Sequence, residues 1–194
     1  MRRNSPRSAA DPARPTVVVI GIDPGTLITG YGLIARTGDK LRMVDCGTIR
    51  TRGTDTLPSR LQQIYAGLCD VFDNHRPDEL AIESAFYGKN AQSALKLGHA
   101  RGVSLLAAVE RNVPVNEYSP REVKKAIVGS GSASKEQVRY MVTSLLRLRG
   151  ADLVLDASDA LAIALCHLQR SQGSSPPYRD WKSYIETHPE RVRP

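Results

Sequence analysis

The sequence predicts an α/β fold: one mixed sheet that opens with an antiparallel three-strand meander and carries helices on both faces. Three observations lead there. Three apolar, β-branched stretches follow one another within residues 17–49, with only short turns between them. Later apolar stretches at residues 80–82 and 113–115 alternate with segments of helical period. The chain has 194 residues, 41% of them apolar, enough for one domain with a substantial core. Hairpin-joined strands followed by strand–helix alternation build a mixed sheet.

The first strand is the run at residues 17–22, stopped by the turn Asp23-Pro24-Gly25. Tyr31, Leu33 and Ala35 alternate with smaller or polar residues and mark the second. The third spans about 41–49, after Thr37-Gly38-Asp39. Pro58 suits the start of a helix whose apolar positions are Leu61, Ile64, Tyr65, Leu68, Val71 and Phe72, and Pro77 forbids its continuation. Leu80, Ala81 and Ile82 form a short strand ending at Glu83. After a loop over 84–89, Asn90 caps a helix to about Arg111, and Val113 with Val115 marks a strand. Ser119 and Glu122 have capping-box spacing and open a short helix that Gly129-Ser130-Gly131-Ser132 breaks. Ser134 with Gln137 starts another, with Val138, Met141, Val142, Leu145 and Leu146 facing the core; a last helix runs from near Asp156 to about Arg170.

The folded domain is thus residues 17–170. Residues 1–16, with Arg2, Arg3, Arg7 and Arg14, read as a disordered basic arm without the apolar segment of a secretory signal. Residues 171–194 read as a linker, Gly173-Ser174-Ser175-Pro176-Pro177, and a mobile tail. No stretch approaches the ~18 consecutive apolar residues of a membrane span. Cys46, Cys69 and Cys166 sit among apolar neighbours with no Cys-x-x-Cys pair, which predicts buried, reduced thiols in the cytoplasm. The net charge of +7 is compatible with nucleic acid, although both tails contribute extra arginine.

Chemistry is carried by four acids at element ends. Asp23 closes the first strand, Glu83 a later one, and Asp156 and Asp159 share one face at the start of the last helix. Ligand sites of open α/β sheets lie at strand ends. Clustered carboxylates need a compensating cation, and an all-oxygen set suits Mg²⁺ or Mn²⁺. Two such ions ~3.5–4 Å apart can drive phosphodiester cleavage. Each acid also has a structural explanation. Asp23 suits its turn, Asp156 can cap the helix, Asp159 favours the helix dipole, and Glu83 can serve a surface ion pair. An acid ending a buried strand, however, is costly without partners.

Several segments resemble the RuvC family of Holliday junction resolvases. They are Gly21-Ile22-Asp23-Pro24-Gly25 with Thr29-Gly30-Tyr31-Gly32, then Ala81-Ile82-Glu83, then Asn90-Ala91 with Ser93-Ala94-Leu95-Lys96-Leu97-Gly98, then Ala100-Arg101-Gly102-Val103, and finally Asp156-Ala157-Ser158-Asp159-Ala160-Leu161-Ala162. The match runs in order from about 17 to 167. The resemblance implies an RNase H-like fold, a homodimer, and Mg²⁺-dependent paired, symmetric nicking of four-way junction DNA in recombination and repair. It implies that Asp23, Glu83, Asp156 and Asp159 are the catalytic metal ligands, for two Mg²⁺ ions that Mn²⁺ can replace. It also implies RuvA and RuvB, the branch-migration helicase subunits, as partners. Some relatives carry His at the position of Asp156.

Phe86 and Tyr87 follow Glu83 in a loop, where an aromatic can stack on an unpaired base or pack beneath its own loop. The resemblance favours base contact near the crossover. Arg121, Lys124 and Lys125 cluster on one short helix, and Lys135 follows the Gly-Ser loop with Arg139 one turn on. Such a loop and helix start suit phosphate, and the resemblance matches Lys124 and Lys135 to DNA-contacting positions. Gly98 and Gly102 lie four apart in a helix, each costing ~1 kcal/mol against Ala, which close packing within the chain or across a dimer would offset. Two rival functions remain. An actin-like ATPase or sugar kinase shares the Gly-x-Asp-x-Gly opening but needs a second lobe. A non-catalytic junction binder predicts lost carboxylates, and all four are present.

Overall fold

The computed structural model describes residues 16–84, 91–148 and 153–171. Phe86, Tyr87, Asn90, the basic arm and the tail lie outside the described residues. The elements are β1 (Thr16–Asp23), β2 (Ile28–Thr37), β3 (Lys40–Arg50), α1 (Leu57–His75), β4 (Glu79–Glu83), α2 (Ala91–Val109), β5 (Val115–Tyr118), α3 (Pro120–Val128), α4 (Lys135–Leu145) and α5 (Leu155–Arg170). The sheet order is β3-β2-β1-β4-β5. β1, β2 and β3 pair antiparallel, as the short turns predict, while β4 pairs parallel with both β1 and β5.

Strand alternation splits the core into two layers. Ile20, Ile22, Leu33, Leu80 and Ile82 face α1 and α2, and pack on Ile64, Leu68 and Phe72. Val19, Ile34 and Ala81 face the other way, toward the buried sides of α3, α4 and α5. Helix α5 is the central element of that layer: Ala160, Leu161, Ile163, Ala164 and Leu165 are all buried. Its approach to the sheet depends on missing side chains. A Cβ on Gly21 would lie 2.0 Å from the Ala160 carbonyl oxygen, and one on Gly30 would lie 2.1 Å from that of Asp156. Only glycine lets the helix backbone rest directly on β1 and β2.

Both capping boxes form as the spacing predicts, Ser119 with Glu122 and Ser134 with Gln137. Three expectations shift. The strand placed at residues 113–115 is β5, which starts at Val115; Val113 N–H instead donates to the Ala108 carbonyl and closes the end of α2. Leu145 is partly exposed, so Val138, Val142 and the C-cap Leu146, with half-buried Met141 packed against them, carry the core face of α4. Only Cys166 is buried; Cys46 and Cys69 are half-buried, and all three are free thiols.

On the α5 side, His167 ties three elements together. Tyr118 Oη lies 2.7 Å from His167 Nδ1, and Glu79 Oε2 lies 2.9 Å from Nε2, close but not aligned as a hydrogen bond. Glu79 also accepts from Asn116 Nδ2 at 3.1 Å. This buried polar group fixes the packing of α5 against β4 and β5.

Candidate active site

The parallel pairing of β1 with β4 sets Ile22 beside Ile82, so the next residues, Asp23 and Glu83, leave the same edge of the sheet. Helix α5 begins at that edge because Gly30 admits the Asp156 backbone. Asp156 stands in its first turn, but the N-cap is Val154, with no side-chain cap bond, so capping does not account for Asp156. Asp159 follows one turn on. From the other flank, α3 brings Lys124 and the start of α4 brings Lys135. A pocket of about 220 Å³ is lined by Asp23, Glu83, Asp159, Lys124 and Lys135, with Pro120, Val123, Val138, Ala162 and Ile163 as apolar wall.

The electrostatics are frustrated. Burial, then Glu83, then Asp159 push the Asp23 carboxyl from its ordinary 3.8 up to about 7; Asp156 adds to the rise and Lys135 opposes it. Burial and Asp159 also raise Glu83, against Lys135 and Lys124. Lys135 Nζ donates to Asp159 Oδ2 at 3.2 Å, and the acids hold its proton more tightly than usual. Two lysines therefore compensate the acids only in part.

Among the described residues, no three His, Cys, Asp or Glu side chains stand close enough together to enclose an ion. The fit to a metal rests on donor chemistry: Asp23, Glu83 and Asp159 offer only carboxylate oxygens, no soft ligand intrudes, and their mutual repulsion is the kind a hard dication relieves. Asp156 does not line the pocket, yet it lies close enough to raise Asp23.

Of the basic residues predicted from sequence, Lys124 and Lys135 meet in the pocket. Arg121 does not line it; its side chain lies across Gly131, where a Cβ would come within 2.5 Å of Arg121 Cγ. Lys125 lines a separate groove with Glu122 and Arg170. Sequence reasoning missed the apolar wall and the seating of α5 by Gly21 and Gly30. Both glycines were visible within the family-like segments, but nothing local said that a helix from the far end of the chain would lie on them.

A sequence profile described as "Crossover junction endodeoxyribonuclease RuvC" matches residues 19–167. The chain is 46% identical over 177 residues to the crossover junction endodeoxyribonuclease RuvC of Salinibacter ruber, covering 91% of this chain and 99% of that protein. It is 52% identical over 158 residues to that of Cronobacter sakazakii, covering 81% and 90%. Its fold is similar to that of T. thermophilus RuvC in complex with Holliday junction substrate, with a TM-score of 0.77, 37% identity, and coverage of 82% of this chain and 97% of that one.

Proposed function

This chain belongs to the RuvC family of crossover junction endodeoxyribonucleases, and from that premise we propose that it works as a Mg²⁺-dependent homodimer placing paired, symmetric nicks. It is a nuclease of RNase H-like fold that resolves Holliday junctions in DNA recombination and repair. The observation that carries the site is the convergence of Asp23, Glu83 and Asp159, from three different elements, in one pocket with Lys124 and Lys135.

Asp23, Glu83, Asp159 and the adjacent Asp156 would hold two Mg²⁺ ions, replaceable by Mn²⁺, which when bound supply charge neutralisation and Lewis acidity for phosphodiester hydrolysis. The four acids set where the scissile phosphate must sit. Lys124 and Lys135 draw the phosphate backbone toward that point and offset the charge that accumulates there. Val123, Val138 and Ile163 form an apolar wall beside these charges. Phe86 and Tyr87, which follow Glu83 in the sequence, are the proposed base contacts near the crossover, and Arg121 a flanking phosphate contact.

Two cuts related by symmetry call for two sites, which a two-fold dimer supplies. Helix α2 is the proposed interface. Leu95, Leu106 and Val109 are 64%, 51% and 62% exposed, and a Cβ at Gly98 or Gly102 would meet nothing within 4 Å, so close packing within the chain does not explain these glycines. Such an apolar stripe is costly in a monomer. We also assign branch-migration helicase subunits RuvA and RuvB as partners and the cytoplasm as the place of action. Among the described residues no helix is long and apolar enough to cross a membrane.

The test is incubation with a synthetic four-way junction, with and without Mg²⁺, beside linear duplex of the same sequence. Two symmetric nicks in the junction only, and only with metal, are expected. Equal cutting of the duplex would remove the structure selectivity.

A further inference from the structure

Helix α4 carries basic residues beyond those the active site uses. Lys135, at its start, lines the nuclease pocket. Arg139 and Thr143 follow at steps of four on one oblique ridge, and Arg147 lies just past the helix end at Leu145. Beside the ridge, Tyr140 is 73% exposed. Tyr140, Thr143, Ser144 and Arg147 line an open cleft of about 640 Å³ at the far end of the helix. The only acid on α4 is Glu136, in its first turn. Arg147 forms no salt bridge with any described residue.

A helix C-terminus normally repels phosphate through its free carbonyls. Here three of them are occupied. Leu146 N–H donates to the Val142 carbonyl at 3.0 Å, Arg147 N–H to that of Ser144 at 3.1 Å, and Leu148 N–H to that of Thr143 at 2.9 Å. Arg147 adopts a left-handed backbone, φ 54°, to make that turn. What the cleft offers an incoming group is therefore a guanidinium and the hydroxyls of Tyr140 and Ser144, since the Thr143 hydroxyl already donates to the Arg139 carbonyl.

We propose that the outer face of α4 is a track for the phosphate backbone of one duplex arm of the junction, with Arg147 and Tyr140 as its distal contact. The proposal rests on the resolvase function above and names a second contact for the same substrate. Two observations select DNA as the occupant: the cleft is donor-rich and cationic, and the ridge is continuous with the pocket through Lys135. The ten steps of α4 from Lys135 to Leu145 rise about 15 Å at 1.5 Å per residue, and Arg147 lies two residues beyond. At 3.4 Å per step along a strand, that reaches phosphates about five base pairs from the one cut.

The test is a binding titration of the full-length protein on a four-way junction in chelator, at several salt concentrations, for wild type, Arg147→Ala and Tyr140→Ala. Melting curves accompany each variant. Both substitutions lie on the surface and should leave the melting temperature in place. Both should weaken binding several-fold at low salt, and Arg147→Ala should lower the salt slope by about 0.9. A single uncharged methylphosphonate stepped along one arm adds position. It should weaken wild-type binding near the fifth base pair from the cut and have no such effect on Arg147→Ala. Wild-type affinity and slope in both variants, or the same methylphosphonate profile in wild type and Arg147→Ala, would overturn the track while junction cutting by wild type still stands. If wild type neither binds nor cuts junctions, the track falls together with the resolvase function.

Discussion

Lys135 Nζ lies 3.2 Å from Asp159 Oδ2, so a cation from the chain itself sits at the edge of the acidic pocket. With 70% of the Lys135 side chain exposed, the contact is open to exchange for a phosphate. Lys135→Ala and Lys124→Ala should each weaken junction affinity and flatten its salt dependence by about 0.9 in slope. Titrations at several salt concentrations check this, and an unchanged slope in both variants would return the two lysines to a role inside the acid cluster alone.

Cutting and binding should separate at the acids. Asp23→Asn or Glu83→Gln is expected to abolish cleavage while leaving junction binding intact, because the basic surface does most of the holding. A gel shift and a cleavage assay on the same preparation decide it. Near-normal cleavage by Asp23→Asn at physiological Mg²⁺ would remove Asp23 from the site.

The raised Asp23 carboxyl has a consequence for stability that runs opposite to the usual acidic residue. Its folded value is about 7, against 3.8 for the ordinary group, so between those limits the folded chain holds a proton that the unfolded chain has lost. Stability therefore falls as pH climbs through that window, and the full penalty is present above it. In chelator, Asp23→Asn should melt several degrees above wild type at pH 8, and the gap should shrink toward pH 5. A gap that does not change with pH would show that Asp23 is not the strained group.

Gly30→Ala should damage both fold and activity. The new Cβ would stand 2.1 Å from the Asp156 carbonyl oxygen, a backbone atom that cannot swing aside. Overpacking of this kind costs ~1–3 kcal/mol or more. Because the start of α5 must move, cleavage by the folded fraction should drop with it. Melting curves and single-turnover cleavage test the pair, and unimpaired cleavage would mean that the placement of Asp156 does not matter.

Phe86 separates two explanations. As a stacking residue, Phe86→Ala should lose ~1–3 kcal/mol of base contact, read as slower cleavage or altered site choice, with little change in melting. As a packing residue it should cost roughly 3–5 kcal/mol of stability and leave the folded fraction active. Phe86→Trp should retain activity in the first case and destabilise in the second.

What was legible in the sequence followed from local physics. Ser119 with Glu122 and Ser134 with Gln137 announced their helices because a capping box is complete within four residues. Asp23 and Glu83 were legible as strand-end acids because apolar runs stop at them. The edges of β2 and β3 were not. Their ladder continues from Ile28 opposite Arg50 to Thr37 opposite Lys40, and cross-strand pairing, not composition, holds those end residues in place. Val113 read as strand because β-branched residues favour it, yet Asn112 in a left-handed turn commits it to the end of α2. The union of Asp159 with Lys135 and the contact of Asp156 with Gly30 were illegible for one reason: they join segments far apart in sequence.

Helix α5 touches β1, β2, β3, β4, β5, α3 and α4, and it is made after all of them. During synthesis, the layer over Val19, Ile34 and Ala81 lacks its central helix until α5 leaves the ribosome, and domains fold as units once their chain is available. Asp156 and Asp159 arrive on the same helix. A growing chain therefore cannot acquire its full set of acids before it can close its core. On the proposed site, a polypeptide that lacks α5 lacks both the closed core and two of the four acids.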